Sequence, residues 1–320
     1  MSQHWQPAAD QQAIKARARL LKTIRAFFDA RDYLEVDTPI LAGATVTDPN
    51  IESIAAEGGW LQTSPEFAMK RMLASGSGPI YQIAHAFRKE ELGRWHNSEF
   101  SLLEWYVPGY DHQALMTEME ELLQHLCPQH SWPRFARIPY RQAFLDACSL
   151  DPFEADLATV RACVAAQGID LGVNSPDGSG WCKDDWLDLL MAEVIGPGLG
   201  LNTPCFIVDY PPSQAALARI RQESVAVASR FELYWQGIEL ANGFHELADA
   251  QEQQQRFIAD LQTRAQAGKP QPTTDEYLLA ALAHGLPDCS GVALGLDRLL
   301  ALMLGRNGLE TVLSFPADRI

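Results

Sequence analysis

Helical and strand periodicities interleave along this 320-residue chain and predict an α+β protein. Three stretches carry that reading. An amphipathic pattern opens near Ile14, two aromatic-rich runs of strand character flank a charged loop at 81–106, and strand character returns at 231–240. A strand followed by an apolar helix closes the chain at 288–305.

In order, Met1 to about Gln12 reads as a frayed polar tail. Ile14, Ala18, Leu21 and Phe28 then recur at helical spacing, giving a helix to about Ala30. YLEVDTPIL at 33–41 is a strand interrupted by Pro39, which suits an edge, a strand end or an interface, because proline forfeits a ladder hydrogen bond. Trp60–Thr63 is a short strand leading to Ser64-Pro65-Glu66. Serine at the N-cap and proline at the first helical position start a helix that runs to about Ala74 and stops at Gly76–Gly78. Glu66 in the first turn suits the helix dipole, which is reason enough for the residue without any further role.

The central stretch has helical pattern at His112–Leu126, Glu154–Ala166 and Trp186–Val194, with a short buried strand at Cys205–Val208. Pro128–Pro133 is the one plausible internal boundary. The expected organisation is a tail at 1–12 and a single domain at 13–320, with 128–230 as a less regular helical insertion. After the strand at 231–240, Asn242-Gly243 is a strong turn or bulge signal, followed by a helix over 246–267.

Composition narrows the function. Hydrophobic residues make up 47% and charged residues 21%, as in an ordinary globular protein. Acidic residues outnumber basic ones 41 to 25, for a net charge of −16. No basic run exists to exploit counterion release, so extended contact with nucleic acid is disfavoured, and a basic protein partner fits better. The six cysteines (Cys127, Cys148, Cys163, Cys182, Cys205, Cys289) are scattered without zinc spacing, the pattern of reduced cytosolic thiols. With no signal-peptide pattern and no long apolar span, a cytoplasmic location is expected.

The hairpin at 81–106 carries the most chemistry. Alternation places Phe100, Leu102, Glu104 and Tyr106 on one face of its second strand, beside Arg88 at the end of the first. An aromatic plate, a carboxylate, a phenol and an arginine suit a nucleotide next to a small charged substrate; a solvated charged hairpin loop is the plain alternative. A bend at Asn242-Gly243 would let Glu239 and Glu246 converge, and paired carboxylates beside phosphates hold Mg²⁺ well. A strand-end glutamate and a helix-start glutamate with no shared task have the same sequence. Gly295 ahead of Arg298 in the following helix resembles an anion site, though weakly on its own.

Taken together the blocks resemble the class II aminoacyl-tRNA synthetases. The first helix with YLEVDTPIL, then FRKEELGRWHNSEF, then GVALGLDRLLAL are similar to that family's three signatures in order. TSPEFAMKR, IELANGFHEL and LSFPADRI are similar to the lysyl-tRNA synthetase subgroup. The resemblance implies a class II core, a mostly antiparallel sheet of six to seven strands flanked by helices, dimeric through the first signature. Because the core begins near residue 13, no anticodon-binding barrel is expected. That shortness resembles the stand-alone paralogues that attach a lysine-type residue, (R)-β-lysine or lysine, to elongation factor P.

The resemblance implies an ATP site at Arg88, Lys89, Glu90, Asn97, Phe100, Glu239, Leu240, Gly295 and Arg298, with Phe100 under the adenine. It implies an amino-acid pocket at Ser64, Pro65, Glu66, Glu104, Tyr106 and Glu246. On the same resemblance Arg88, Glu239, Glu246 and Arg298 would carry the catalytic roles, and Glu239 and Glu246 would hold the Mg²⁺. Lys89 replaces the usual asparagine and Ser98 the usual proline, and neither change removes a catalytic charge. A compact lysyl-tRNA synthetase would share every one of these residues, and a non-catalytic sensor would not need to keep both charge clamps.

Overall fold

The computed structural model describes residues 5–89, 91–169, 178 and 180–320. In chain order the elements are α1 Gln11–Asp29, β1 Leu34–Glu35, β2 Leu41–Ala42, β3 Ala55–Ala56, β4 Gly59–Leu61, α2 Glu66–Ala74, β5 Ile80–Phe87, β6 Glu99–Pro108 and α3 His112–Leu126. There follow β7 Ala136–Pro139, α4 Tyr140–Cys148, α5 Leu157–Ala166, α6 Lys183–Leu190, β8 Cys205–Tyr210, β9 Ile220–Arg221, β10 Val227–Trp235 and β11 Ile238–His245. The last are α7 Ala250–Gln266, α8 Glu276–Gly285, β12 Cys289–Gly295 and α9 Leu296–Met303. The α+β class is as expected. The chain divides into two compact units, Met1–Ser131 with Glu246–Ile320, and Trp132–His245, where the sequence suggested one domain.

In the first unit the strand order is β1-β5-β6-β12. Only the β1–β5 pair is parallel; β5–β6 and β6–β12 are antiparallel. A small three-stranded sheet, β2-β4-β3, stands apart. In the second unit the order is β11-β10-β8-β7, antiparallel except for β7–β8, with β9 pairing β10. The strands of these two runs number nine, more than the six to seven expected. The excess comes from short pieces such as β1 and β9, two residues each, which leave little periodicity to read.

The two faces of the β5–β6 hairpin have different work. On one face Tyr81 stacks on Phe28 of α1 at 4.5 Å, and Trp105 meets the same ring edge-on at 5.5 Å. Trp105 Nε1 donates to Glu118 of α3 at 3.0 Å, and the Tyr33 hydroxyl donates to the same carboxylate at 2.7 Å. Aromatic burial of this kind fixes α1 and α3 on the sheet, and the buried carboxylate satisfies both polar tips. The opposite face, with Phe100, Leu102, Glu104 and Tyr106, is left for chemistry. The second unit has its own core, built on Tyr140, Phe144, Leu187, Leu190, Ile207 and Ala228.

The local structure departs from the sequence reading at four places. The tail is not frayed from residue 8 onward: the Ala8 and Ala9 amides donate to the Ser314 and Leu313 carbonyls, and Asp10 caps α1 by accepting from the Ala13 amide. Residues 1–4 lie outside the described residues. The insertion expected at 128–230 belongs to a unit with as much strand as helix character, β7 to β11 included. FELYWQGIEL is two strands, because Gln236 and Gly237 both take positive φ (53° and 76°), the geometry of a tight hairpin turn. Finally, Asn242-Gly243 makes no turn. It lies in β11, registered against Glu232 and Phe231.

Asp297, at the start of α9, ties three elements together. It is buried, accepts the Ser101 amide of β6 at 2.7 Å and pairs with Arg17 of α1. Removing it orphans a buried amide and an arginine, so Asp297→Ala is expected to cost about 2–4 kcal/mol in urea denaturation. A loss below about 1 kcal/mol would mean that the junction does not depend on this carboxylate.

Candidate active site

Helix α2 begins as the sequence suggests. Pro65 precedes its first residue, and the Ser64 hydroxyl accepts the Glu66 amide at 3.0 Å. One turn later stands Lys70, so Glu66 and Lys70 share a helix face. Lys70 Nζ lies 2.7 Å from Glu66 Oε1 and 2.6 Å from Glu246 Oε2, with the lysine side chain 2% exposed and Glu246 1%. Glu246 is fixed where it leaves β11, its amide donating to the Cys289 carbonyl at 3.0 Å. A cation has thus been taken fully out of water and placed between two carboxylates from distant parts of the chain.

Strand β6 supplies the next wall. Its regular alternation holds as expected, and the Tyr106 hydroxyl donates to Glu104 Oε2 at 3.2 Å across the i,i+2 spacing of one face. Glu104 is buried, and burial pushes its carboxyl up to about 8, with the charge of Glu66 adding to the effect; Ser64 and Tyr106 hydrogen bonds and the charge of Arg88 oppose it. Burial raises Glu246 as well, against the pull of Lys70. Burial disfavours the Lys70 ammonium, yet Glu246 and Glu66 outweigh it and hold the group above its ordinary value, so it stays charged. The Tyr106 phenol is held far above its ordinary value by burial and by Glu66, Glu104 and Glu246, which keeps it a donor. Ser64, Glu66, Glu104, Tyr106 and Glu246 therefore form one electrostatic unit, as the sequence grouped them.

Strand β12 provides the room. Gly291 is registered opposite Tyr106, and a Cβ there would stand 2.1 Å from the Tyr106 ring and 2.8 Å from Glu246 Oε1. Gln82 of β5, opposite Glu104, is buried with its side-chain carbonyl unbonded. Sequence reasoning missed Lys70, Gln82 and Gly291. The four-residue Glu66–Lys70 spacing was visible, but it ordinarily marks an exposed ion pair; Gly291 carried no signal beyond lying among small residues.

The loop between β5 and β6 holds the second group. The Arg88 guanidinium sits 5.1 Å over the Phe100 ring and 3.5 Å from Glu91, and its amide donates to the Ser98 carbonyl. The Lys89 amide donates to the Glu52 carbonyl at 2.8 Å. Arg298 of α9 donates through Nε to the Trp95 carbonyl at 3.1 Å and meets His96 Nε2 at 2.7 Å. Burial lowers the His96 imidazole, helped by the charges of Arg298 and Arg88, so both arginines bear on one neutral ring. Arg88, Phe100 and Arg298 are thus gathered around one loop, and the charge of Arg88 reaches Glu104 in the carboxylate group.

Other expected residues stand differently. Asn97 is buried and bonded on both sides, donating to the Glu99 carbonyl and accepting the Ala317 amide, so it braces the loop against the C-terminal segment. Gly295 ends β12 opposite Leu102 and precedes α9 with φ of −72°. Glu90 lies outside the described residues. Glu239 and Leu240 belong to the second unit. There the register slips by one residue at Leu240, since Tyr234 pairs Glu239 while Leu233 pairs Ala241. That bulge puts Glu239 on the face of Asn242 and Phe244 instead of the face of Ala241 and Gly243. The device expected at Asn242-Gly243 is a bulge at Leu240. Among the described residues no group of three or more His, Cys, Asp or Glu is arranged to hold a metal ion.

The model of the family "tRNA synthetases class II (D, K and N)" matches residues 4–319. The elongation factor P–(R)-β-lysine ligase of Edwardsiella ictaluri (strain 93-146) is 47% identical over 326 residues, covering 98% of both chains. The ligase of the same name from Hamiltonella defensa subsp. Acyrthosiphon pisum (strain 5AT) is 46% identical over 327 residues, covering 99% of this chain and 98% of its own. With its strands, its signature blocks and its charged hairpin loop in that order, this chain belongs to the class II tRNA synthetase family of the D, K and N group.

Proposed function

We propose that this chain activates a lysine-type amino acid, (R)-β-lysine foremost, as its adenylate with ATP and transfers it to the ε-amino group of a lysine on elongation factor P. The observation that carries the reading is the group of buried Glu104 and Glu246 with half-buried Glu66, beside a loop bearing Arg88 and Phe100. Buried carboxylates are costly unless something cationic completes them, and a diamino acid does so with two ammonium groups. The names of the two ligases at 46–47% identity supply the acceptor and the β-isomer. Class II membership supplies ATP as co-substrate.

In the proposed reaction Phe100 stacks under the adenine and Arg298 grips the γ-phosphate. Arg88 binds the amino-acid carboxylate and the α-phosphate as they combine. The carboxylate attacks the α-phosphorus in line and pyrophosphate leaves; positioning and charge stabilisation suffice, with no covalent protein nucleophile. Glu66 receives one ammonium of the substrate, and Glu246 with Glu104 the other, while Ser64, Pro65 and Tyr106 shape the pocket. In the second step a neutral lysine amine of the acceptor attacks the adenylate carbonyl, an amide forms and AMP departs. Lys89, Glu90, Asn97, Leu240 and Gly295 complete the nucleotide site.

Mg²⁺ would neutralise charge on the departing pyrophosphate. The half-buried carboxylate of Glu239 is the kind of hard oxygen donor it takes, with phosphates and waters filling the shell. Glu246 is the second candidate ligand; Lys70 already engages it through Oε2, so Glu239 carries the larger share. We further propose that the protein works in the cytoplasm as a homodimer without stable tRNA binding, pairing through the first signature, where Leu34, Ile40 and Leu41 are exposed. No helix among the described residues is long and apolar enough to cross a membrane.

Three measurements test this reading. Pure protein incubated with ATP, Mg²⁺ and labelled (R)-β-lysine should label elongation factor P and leave tRNA unlabelled; label on tRNA alone contradicts the acceptor. Arg88→Ala should lower amino-acid-dependent ATP–pyrophosphate exchange by about 10³ with folding retained. Activity within about tenfold of the wild type removes its role. Gly291→Ala should raise the KM for the amino acid about tenfold with the KM for ATP unchanged within about threefold, because the new methyl displaces Tyr106 and Glu246. An equal rise in both constants would place Gly291 outside the amino-acid pocket.

A further inference from the structure

We propose that Gln82 binds the substrate: its side-chain carbonyl, beside Glu104, accepts an N–H from the ammonium farther from the reacting carboxylate and so selects a primary amine. The inference rests on the assignment of Glu66, Glu104 and Tyr106 to the amino-acid pocket and deepens it, because it adds an uncharged acceptor to that pocket.

Register places the residue. Gln82 of β5 stands directly opposite Glu104 of β6, and Ala293 of β12 flanks Glu104 on the other side. The neighbouring rows across these three strands are Ile80, Tyr106 and Gly291, then Ala84, Leu102 and Gly295. Residues directly opposite share a face, so Gln82 lies with Glu104 and Tyr106, away from the face where Tyr81 and Trp105 pack on α1. Along its face β5 offers Ile80, Gln82, Ala84 and Ala86, and of these Gln82 alone is polar. Its Cβ is about 5 Å from that of Glu104, close enough for an amide oxygen and a carboxylate oxygen to share one nitrogen. Arg88 and Phe100 mark the carboxylate end of the β6 face, so the ammonium that reaches Gln82 is the far one.

Burial supplies the second observation. Gln82 is 3% exposed, and its side-chain carbonyl has no hydrogen-bond partner among the described residues. An unpaired buried carbonyl costs a folded protein stability, and an apolar side chain of the same shape would avoid that cost. Packing therefore gives no reason for a glutamine here, whereas a donor arriving with the substrate does. The groups already present are engaged elsewhere: Lys70 pairs with Glu66 and Glu246, and Tyr106 donates to Glu104 Oε2. A primary ammonium carries three N–H donors, and Gln82 with Glu104 offers it acceptors from adjacent strands. A site built to receive an N–H rejects an analogue lacking it, because the buried acceptor is then left unpaired.

The test compares Gln82→Leu, Gln82→Met and Glu104→Gln with the wild type in ATP–pyrophosphate exchange and in thermal unfolding. Lysine, Nε,Nε-dimethyllysine and norleucine serve as substrates or competitive inhibitors; their side chains end in three, one and no N–H donors. Gln82→Leu is expected to raise the KM for lysine about tenfold and to hold the constants for ATP and norleucine within about threefold. Its preference for lysine over dimethyllysine, two probes of equal charge, should fall at least about threefold, and its Tm should equal or exceed that of the wild type. Should Gln82→Leu not fold, Gln82→Met carries the same comparison. A lysine KM within about twofold of the wild type overturns the proposal. So does an equal rise for lysine, norleucine and ATP, which a purely structural residue would give. If Glu104→Gln and Gln82→Leu both leave the lysine KM unchanged, the pocket assignment itself fails; if Glu104→Gln raises it and Gln82→Leu does not, only the role of Gln82 fails.

Discussion

A lysine side chain at 2% exposure survives inside a protein only where anions surround it, and Lys70 has two within 2.7 Å. That single buried ion triplet constrains much of the first unit. It requires α2 to start where Ser64 caps it, so that Glu66 and Lys70 fall on one helix face. It requires the chain leaving β11 to deliver Glu246 to the same point, which the Glu246 amide bond to Cys289 secures. It also leaves the carboxyl groups of Glu66, Glu104 and Glu246 close enough to act on one another, oxygen acceptors that an amine could meet.

The sheet turns that pocket into a site by giving its two faces separate tasks. Phe28, Tyr81, Trp105 and Glu118 consume the helix-packed face in aromatic contacts and satisfied hydrogen bonds. The other face is then free to hold Glu104 and Tyr106 at one end and Phe100 with Arg88 at the other, along one ten-residue strand. The carboxylates and the arginine are thereby a few strand residues apart. The missing side chain of Gly291 on β12 gives Tyr106 and Glu246 the room they occupy.

Much of this was legible in the chain. The face of Phe100, Leu102, Glu104 and Tyr106 followed from alternation because β6 is long and unbulged, and the start of α2 followed from Ser64-Pro65 because capping is local. What was not legible depended on partners far away in sequence. Asn242-Gly243 carries strong turn chemistry, yet β11 pairs through it with β10, and ladder bonds across the pair outweigh a local preference. The bulge appears at Leu240, an ordinary strand residue with no signature. Gln236-Gly237 turned the chain where an unbroken strand was expected. Residues 8 and 9 looked like tail because their partners, Ser314 and Leu313, are three hundred residues away. Lys70 looked like one more solvated helix lysine, since nothing in α2 itself reveals that β6 and Glu246 enclose it.

The most direct measurement is a crystal structure with a non-hydrolysable lysyl-adenylate analogue. The account predicts the analogue's side-chain ammonium within hydrogen-bond distance of the Glu66, Glu104 and Glu246 group, Lys70 still seated between Glu66 and Glu246, and adenine against Phe100 with Arg88 on the phosphate. An analogue whose amine points to solvent, or a Lys70 expelled from between its carboxylates, would contradict it.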